Sequence, residues 1–325
     1  MKKSTNKVLI SICLVVCSLV VGTITCEMLL RLKNSSMKNY DIEMWRYANE
    51  LKKADTNPEL AFSHIKSSSA LLQGVEIRTN EWGLRGGPIN PIARDERRIL
   101  MIGGSITLGW GVPEDKTLTV LLQNKLRESG DNVTVLNAGI GNYNAERYVS
   151  RFFAEHTELK PTDIVVQYFL RDAEDLSPGG GNWLLRHSQL AVTLWIAYHR
   201  FFENSGENLL LEHYRDVYKE EKLGFKKMKQ KLNELSIYAK QNDIRIYLAM
   251  TPDVHNLVNY QFEFIHDIIK DIAKENDYKF IDFLPSFRGL TPEDLYAMPG
   301  DPHPNAYGHK LMAEDLLTIL KINQD

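Results

Sequence analysis

From Arg97 onward the chain repeats one pattern. Short runs of consecutive apolar residues alternate with longer stretches whose apolar positions recur every three or four residues. The short runs are "RRILMIG" (97–103), "VTVLNAG" (133–139), "TDIVVQYF" (162–169), "IRIYLAM" (244–250) and "YKFIDF" (278–283). They are rich in β-branched residues, too short for helices and apolar on both faces, so they predict five buried strands. The stretches at 117–130, 143–157, 225–243, 260–277 and 305–320 carry helical spacing. Strand and helix in strict alternation predict a parallel sheet covered on both sides, a three-layer α/β/α sandwich. In such sheets ligands sit beyond the carboxyl ends of the strands.

Three segments break the rhythm. At the N-terminus "MKKSTNK" is basic, and Val8 to Thr25 then runs without a charge until Glu27 and Arg31. About 20 residues cross a bilayer core, so this run predicts one transmembrane helix. Its length, with no small-residue cleavage site after it, favours an uncleaved anchor over a secretory signal. Residues 34–95 read as a juxtamembrane stalk and lead-in, with an amphipathic helix in "MKNYDIEMWRYANELKKA" and turns in "TNEWGLRGGPINP". Between the third and fourth strands lies an insertion, 173–222, with a Pro-Gly-Gly-Gly run expected to be a flexible joint. The aromatic stretch Trp183 to Phe202 follows it. That stretch reads either as a core-packing helix or as a lid or membrane-facing surface beside the site. The expected organisation is an anchor at 1–33, a lead-in at 34–95 and a catalytic domain at 96–325.

Composition adds limits. The 325 residues are 43% hydrophobic and 25% charged, enough for one large core. A net charge of −3 gives no nucleic-acid footprint. All three cysteines, Cys13, Cys17 and Cys26, lie in or beside the apolar run, so the body has neither a disulfide nor a thiol nucleophile. No cluster has metal-ligand spacing.

The first strand ends in "GGSITLGWGV". Ser105 therefore stands at the carboxyl edge of the sheet, where it is a nucleophile, part of an anion-cradling loop or a tight-turn residue. The spacing fits neither a dinucleotide fingerprint nor a phosphate loop, and Thr107 stands where the second glycine of a G-x-S-x-G elbow belongs. Near the C-terminus "MPGDPHPNAYGH" puts Asp301 and His303 in a turn before the last helix. A serine hydroxyl needs a base, and the base needs an acid to hold its tautomer; Asp-x-His on one loop supplies both. His255 in "TPDVHN" follows the fourth strand and lies on the same edge, a candidate substrate contact. His309, inside the last helix, reads as structural. Asn142 and Asn144 read as helix caps or substrate contacts.

With those residues in view, "ILMIGGSITLGWGV", "NAGIGNYN", "YFLRDAEDL" and "DPHPNAYGH" resemble, in order, the four blocks of the SGNH (GDSL-type) hydrolases. The resemblance covers about residues 80–322. It implies a flavodoxin-like fold and esterase or O-acetyltransferase chemistry without metal or cofactor. It makes Ser105 the nucleophile, His303 the base, Asp301 its acid, and the amides of Ser105 and Gly141 oxyanion donors. The lead-in, the anchor and the aromatic insertion resemble membrane-anchored members that act on acyl or O-acetyl esters of envelope polysaccharides. They imply a single-pass protein with its catalytic domain outside the cytoplasm. Three positions depart from the family pattern. Gly104 replaces the usual Asp. Asp301 stands two residues before His303 rather than three, where Gly300 lies, which leaves Asp294 as a second candidate acid. Arg171 replaces the oxyanion-hole Asn, as an altered donor, an anion contact or a plug paired with Asp172.

Overall fold

The computed structural model describes residues 2–176, 182–202, 207–299 and 301–322. The described chain forms two compact units, residues 1–46 with 180–204, and residues 47–179 with 205–325. The Pro178–Gly181 run and Gly300 lie outside the described residues.

In the first unit, α1 (Lys2–Asn34) is followed by the start of α2 (Tyr40–Glu50). α1 is long and apolar enough to cross a membrane, with a mean hydropathy of 2.6 in its most apolar window.

The second unit opens with two small antiparallel pairs, β1 (Lys52–Ala54) with β2 (Phe62–His64), and β3 (Ser69–Leu72) with β4 (Val75–Arg78). The main sheet follows: β5 (Arg97–Gly103), β6 (Val133–Gly139), β7 (Asp163–Tyr168), β8 (Arg245–Met250) and β9 (Lys279–Asp282). All its neighbours are parallel, in the order β6-β5-β7-β8-β9. The chain starts in the middle, winds one way once, then winds the other way. This is the flavodoxin-type order, whose switch point lies between β5 and β7.

Along β5 the side chains alternate between two cores. Leu100 and Ile102 enter one, and Ile99 and Met101 the other. α5 (Ala145–Arg151), α9 (Leu223–Gln241) and α10 (Glu263–Glu275) cover the first face. α4 (Leu118–Glu128), the short α11 (Leu284–Phe287) and α12 (Ala306–Ile322) cover the second. The five predicted strands and their helices are therefore present, with α10 beginning a turn later than the pattern suggested. Between β5 and α4 lie a one-turn helix, α3 (Ser105–Leu108), and a 3-10 turn at Glu114–Lys116.

The small elements differ from expectation. The hairpins within 47–78 belong to the α/β unit, so that part of the lead-in is not a stalk. The insertion is divided. Its α6 (Trp183–His187) and α7 (Gln189–Phe202) belong to the first unit, and its α8 (Glu207–Val217) to the second. The Glu27 carboxylate of α1 accepts the amides of Gln189 and Leu190 (3.0 and 2.8 Å) and the Ser188 hydroxyl (2.9 Å). These are the unpartnered donors that every helix start presents, and the acid also suits the positive end of the dipole. Within α7, Val192 is buried and Leu194, Trp195, Tyr198 and Phe201 are exposed. Finally, Asp301 and His303 sit on a strand, β11 (Asp301–Pro304), paired with β10 (Tyr296–Met298), where a turn was expected.

Candidate active site

β5 and β6 end in register at Gly103 and Gly139. A Cβ at Gly103 would press into the Thr107 side chain and lie 2.7 Å from the Gln167 carbonyl oxygen, so only glycine lets the chain leave the strand here. Ser105 follows as the first residue of α3, where a backbone N–H has no intrahelical partner.

β11 carries the facing groups. His303 Nε2 lies 2.7 Å from Ser105 Oγ. On its other side, His303 Nδ1 lies 2.6 Å from Asp301 Oδ1, and the His303 amide donates to the same oxygen at 3.1 Å. With Asp301 ionised, Nδ1 carries the proton and Nε2 is the acceptor facing the serine. Asp301 is fully buried. Burial opposes its ionisation, but the hydrogen bonds from His303 and Gln73 hold its carboxyl below the usual range. Asp294, the other candidate acid, uses its backbone carbonyl to accept from Asn305.

The remaining sequence candidates fall into different settings. The Gly141 N–H donates to the Tyr47 hydroxyl at 3.0 Å, so in this structure that amide has a protein partner. Tyr47 is buried, with its hydroxyl 2.6 Å from His64 Nε2, and His64 Nδ1 meets the Gly83 carbonyl at 2.9 Å. The amide therefore begins a chain of three hydrogen bonds. Lys52 Nζ donates to the Gly141 carbonyl at 2.7 Å. Asn142 takes left-handed backbone (φ +64°) rather than capping a helix. Asn144 caps α5, accepting from the Arg147 amide at 3.0 Å.

Arg171 sits in a one-turn helix after β7, half exposed, with Nε 3.3 Å from Glu174. Asp172 turns inward and accepts the Phe169 amide at 3.0 Å. Burial pushes its carboxyl up to about 8. His255 lies past β8, its Nδ1 at 2.9 and 3.0 Å from the Asp253 oxygens, and that hydrogen bond raises its pKa. His309 is buried in α12, and its Nδ1 accepts the Leu118 amide. Burial and nearby cationic groups hold it down at about 3, neutral and structural. Among the described residues, no group of three His, Cys, Asp or Glu side chains is placed to hold a metal.

Sequence reasoning missed what the lead-in brings. Gln73 Nε2 donates to Asp301 Oδ2 at 2.8 Å. The buried Arg85 donates to the carbonyls of Leu108, Gly109 and Val112 at 2.7, 2.6 and 2.6 Å. It thereby satisfies the Leu108 carbonyl at the end of α3 and two carbonyls of the turn that follows. Burial lowers this guanidinium to about 10. The Arg85 amide also bonds the Asn137 carbonyl on β6. The visible signal was the turn-rich "TNEWGLRGG", which gave a loop but not its destination.

No family model matches the chain, and no curated protein matches it. Among solved structures it is similar to a G-D-S-L family lipolytic protein from Desulfitobacterium hafniense. Identity is 18% and TM-score 0.44, over 68% of this chain and 98% of that one. It is similar to TesA at 17% identity and TM-score 0.46, over 70% and 99%. It is also similar to a catalytic mutant of Axe2, an acetylxylan esterase from Geobacillus stearothermophilus, at 16% identity and TM-score 0.46, over 68% and 93%.

Proposed function

We propose that the chain is a membrane-anchored serine esterase of the SGNH (GDSL) type. The observation that carries this reading is the unbroken contact from Ser105 Oγ through His303 to Asp301, at 2.7 and 2.6 Å. His303 Nε2 removes the Ser105 proton as Oγ attacks an ester carbonyl. Asp301 stabilises the imidazolium that forms. The imidazolium then protonates the leaving alkoxide, and water attacks the acyl-enzyme with His303 again as base. The Ser105 amide, at the start of α3, receives the oxyanion. The substrates are O-acetyl or short acyl esters of an envelope or exported polysaccharide. The apolar α1 is the anchor, with the α/β unit on the extracytoplasmic side.

Two contacts favour a second reading, an attenuated enzyme that binds acylated glycan more than it turns it over. The Gly141 amide is held by Tyr47, and Arg171, in the place of a neutral amide donor, has Glu174 as a partner. One missing oxyanion donor costs about 10²–10³ in rate. Where the acceptor is a sugar hydroxyl instead of water, the same acyl-enzyme performs O-acetyl transfer.

The test is p-nitrophenyl acetate hydrolysis and fluorophosphonate labelling of the full chain in detergent, beside Ser105→Ala. Turnover and labelling that both vanish in the variant support the esterase. Labelling at Ser105 with negligible turnover favours the attenuated reading, which Arg171→Asn then relieves. Equal turnover in both proteins removes Ser105 from the reaction.

A further inference from the structure

The β3–β4 hairpin closes with two residues. Leu72 pairs with Val75, and Gln73 and Gly74 form the loop with φ of +50° and +75°. A two-residue loop with both residues left-handed is the type I′ turn, which selects Asn-Gly or Asp-Gly because a short polar side chain tolerates that backbone. This hairpin has Gln-Gly instead. Glutamine lacks that local compensation and is one methylene longer. A residue that breaks the local rule marks a place where something other than the turn decides.

What the extra length reaches is Asp301. The two oxygens of that buried carboxylate have different partners: Oδ1 meets the His303 backbone amide and Nδ1, and Oδ2 takes the Gln73 amide at 2.8 Å. Rotation of the carboxyl group about its own axis breaks one set or the other. Without Gln73, Oδ2 loses this donor in an interior where unpaired oxygens are costly. The nucleophile segment is cut to fit the same side chain. Gly111 has φ +72°, and a Cβ there would stand 2.5 Å from Gln73 Oε1 and 2.9 Å from the Ala297 Cβ. Three distant stretches of sequence thus meet at one amide.

We propose that Gln73 is a positioning residue of the Ser105–His303–Asp301 array, locking the carboxylate rotamer that aims His303 at the serine. This rests on the triad reading above. Gln73→Asn restores the residue the turn prefers but withdraws the amide, and Gln73→Met keeps the length without a donor. In the full chain, both variants are expected to lose about 10- to 100-fold in kcat on p-nitrophenyl acetate, with KM within about threefold. Gln73→Asn is expected to melt closer to the parent temperature than Gln73→Met, since the residue the turn prefers offsets part of the cost of the unpaired Oδ2, while both lose kcat alike; a purely structural role would make activity follow melting temperature. The low-field proton resonance of the His303–Asp301 hydrogen bond is expected to shift or broaden in both.

Unchanged kcat and an unchanged resonance in Gln73→Asn overturn the proposal, as does an activity loss that follows a lowered melting temperature in both variants. A parent protein with neither turnover nor labelling refutes the esterase reading. The resonance still decides the positioning role in that case: altered in the variants it supports the lock, unaltered it refutes it.

Discussion

The α/β unit contains the same three-residue pattern twice. Asp253-Val254-His255 follows β8, and Asp301-Pro302-His303 forms β11. Locally they match: in each, the His amide and Nδ1 both meet the Asp two residues earlier. They differ in what surrounds them. Asp301 divides its oxygens between His303 and Gln73, whereas both Asp253 oxygens face His255 Nδ1. The His303 side chain is 13% exposed and touches Ser105, while that of His255 is 52% exposed and meets the ring of Tyr296 edge-on at 6.3 Å. The Asp-x-His pattern therefore makes an oriented imidazole anywhere. A hydroxyl on the far nitrogen and a second clamp on the acid separate His303, the proposed base, from the more exposed His255.

The largest effect that tests this comparison is on the imidazoles. His303→Ala is expected to lower kcat/KM by about 10⁴-fold or more and to abolish fluorophosphonate labelling. His255→Ala is expected to leave labelling intact and to change kcat/KM by less than about tenfold, through KM if His255 touches the substrate. Comparable losses in both would mean that the two dyads work together.

The acids give a smaller contrast. Asp301→Asn keeps the shape but loses the charge that fixes the tautomer and stabilises the imidazolium, and a loss of about 10²–10⁴-fold in kcat is expected. Asp253→Asn is expected to stay within about threefold of the parent. A tolerant Asp301→Asn would remove the acid from the mechanism and leave His303 acting alone.

How much of this was readable follows from where each signal lies along the chain. Strands β5 to β8 were legible because most of their residues are buried and need a nearly continuous apolar run, as in "ILMIG"; β9 is thinner, with only Ile281 fully buried. The pairing of Ser105 with His303 was suggested by two short motifs, one where the first strand ends and one just before the last helix. The lead-in was not legible. β1 to β4 are three or four residues long, too short for a period to show. Its contributions are also single side chains whose partners lie far away in sequence. Gln73 reaches Asp301 across 228 positions, Tyr47 reaches Gly141 across 94, and Arg85 reaches Leu108 across 23. Beside the turn-rich "TNEWGLRGG", the local trace at the acid was Gln where a tight hairpin asks for Asn, a deviation that acquires meaning only when its partner is in sight.

The smallest effect concerns protons on the Asp253–His255 dyad. The hydrogen bond that His255 donates to Asp253 raises the His255 pKa, burial opposes it, and the Asp253 charge adds to the rise. A histidine whose folded pKa is raised contributes stability that is fully present below its unfolded pKa and is lost as pH climbs through the folded value. Asp253→Asn is therefore expected to move the NMR titration of the His255 ring to lower pH. It is also expected to lower the melting temperature slightly at about pH 5 and hardly at all at about pH 8. The effect is small because solvent reaches half of this ring and screens the pair. A titration that stays in place would mean that Asp253 orients His255 without setting its charge, and the two dyads would then share geometry but not electrostatics.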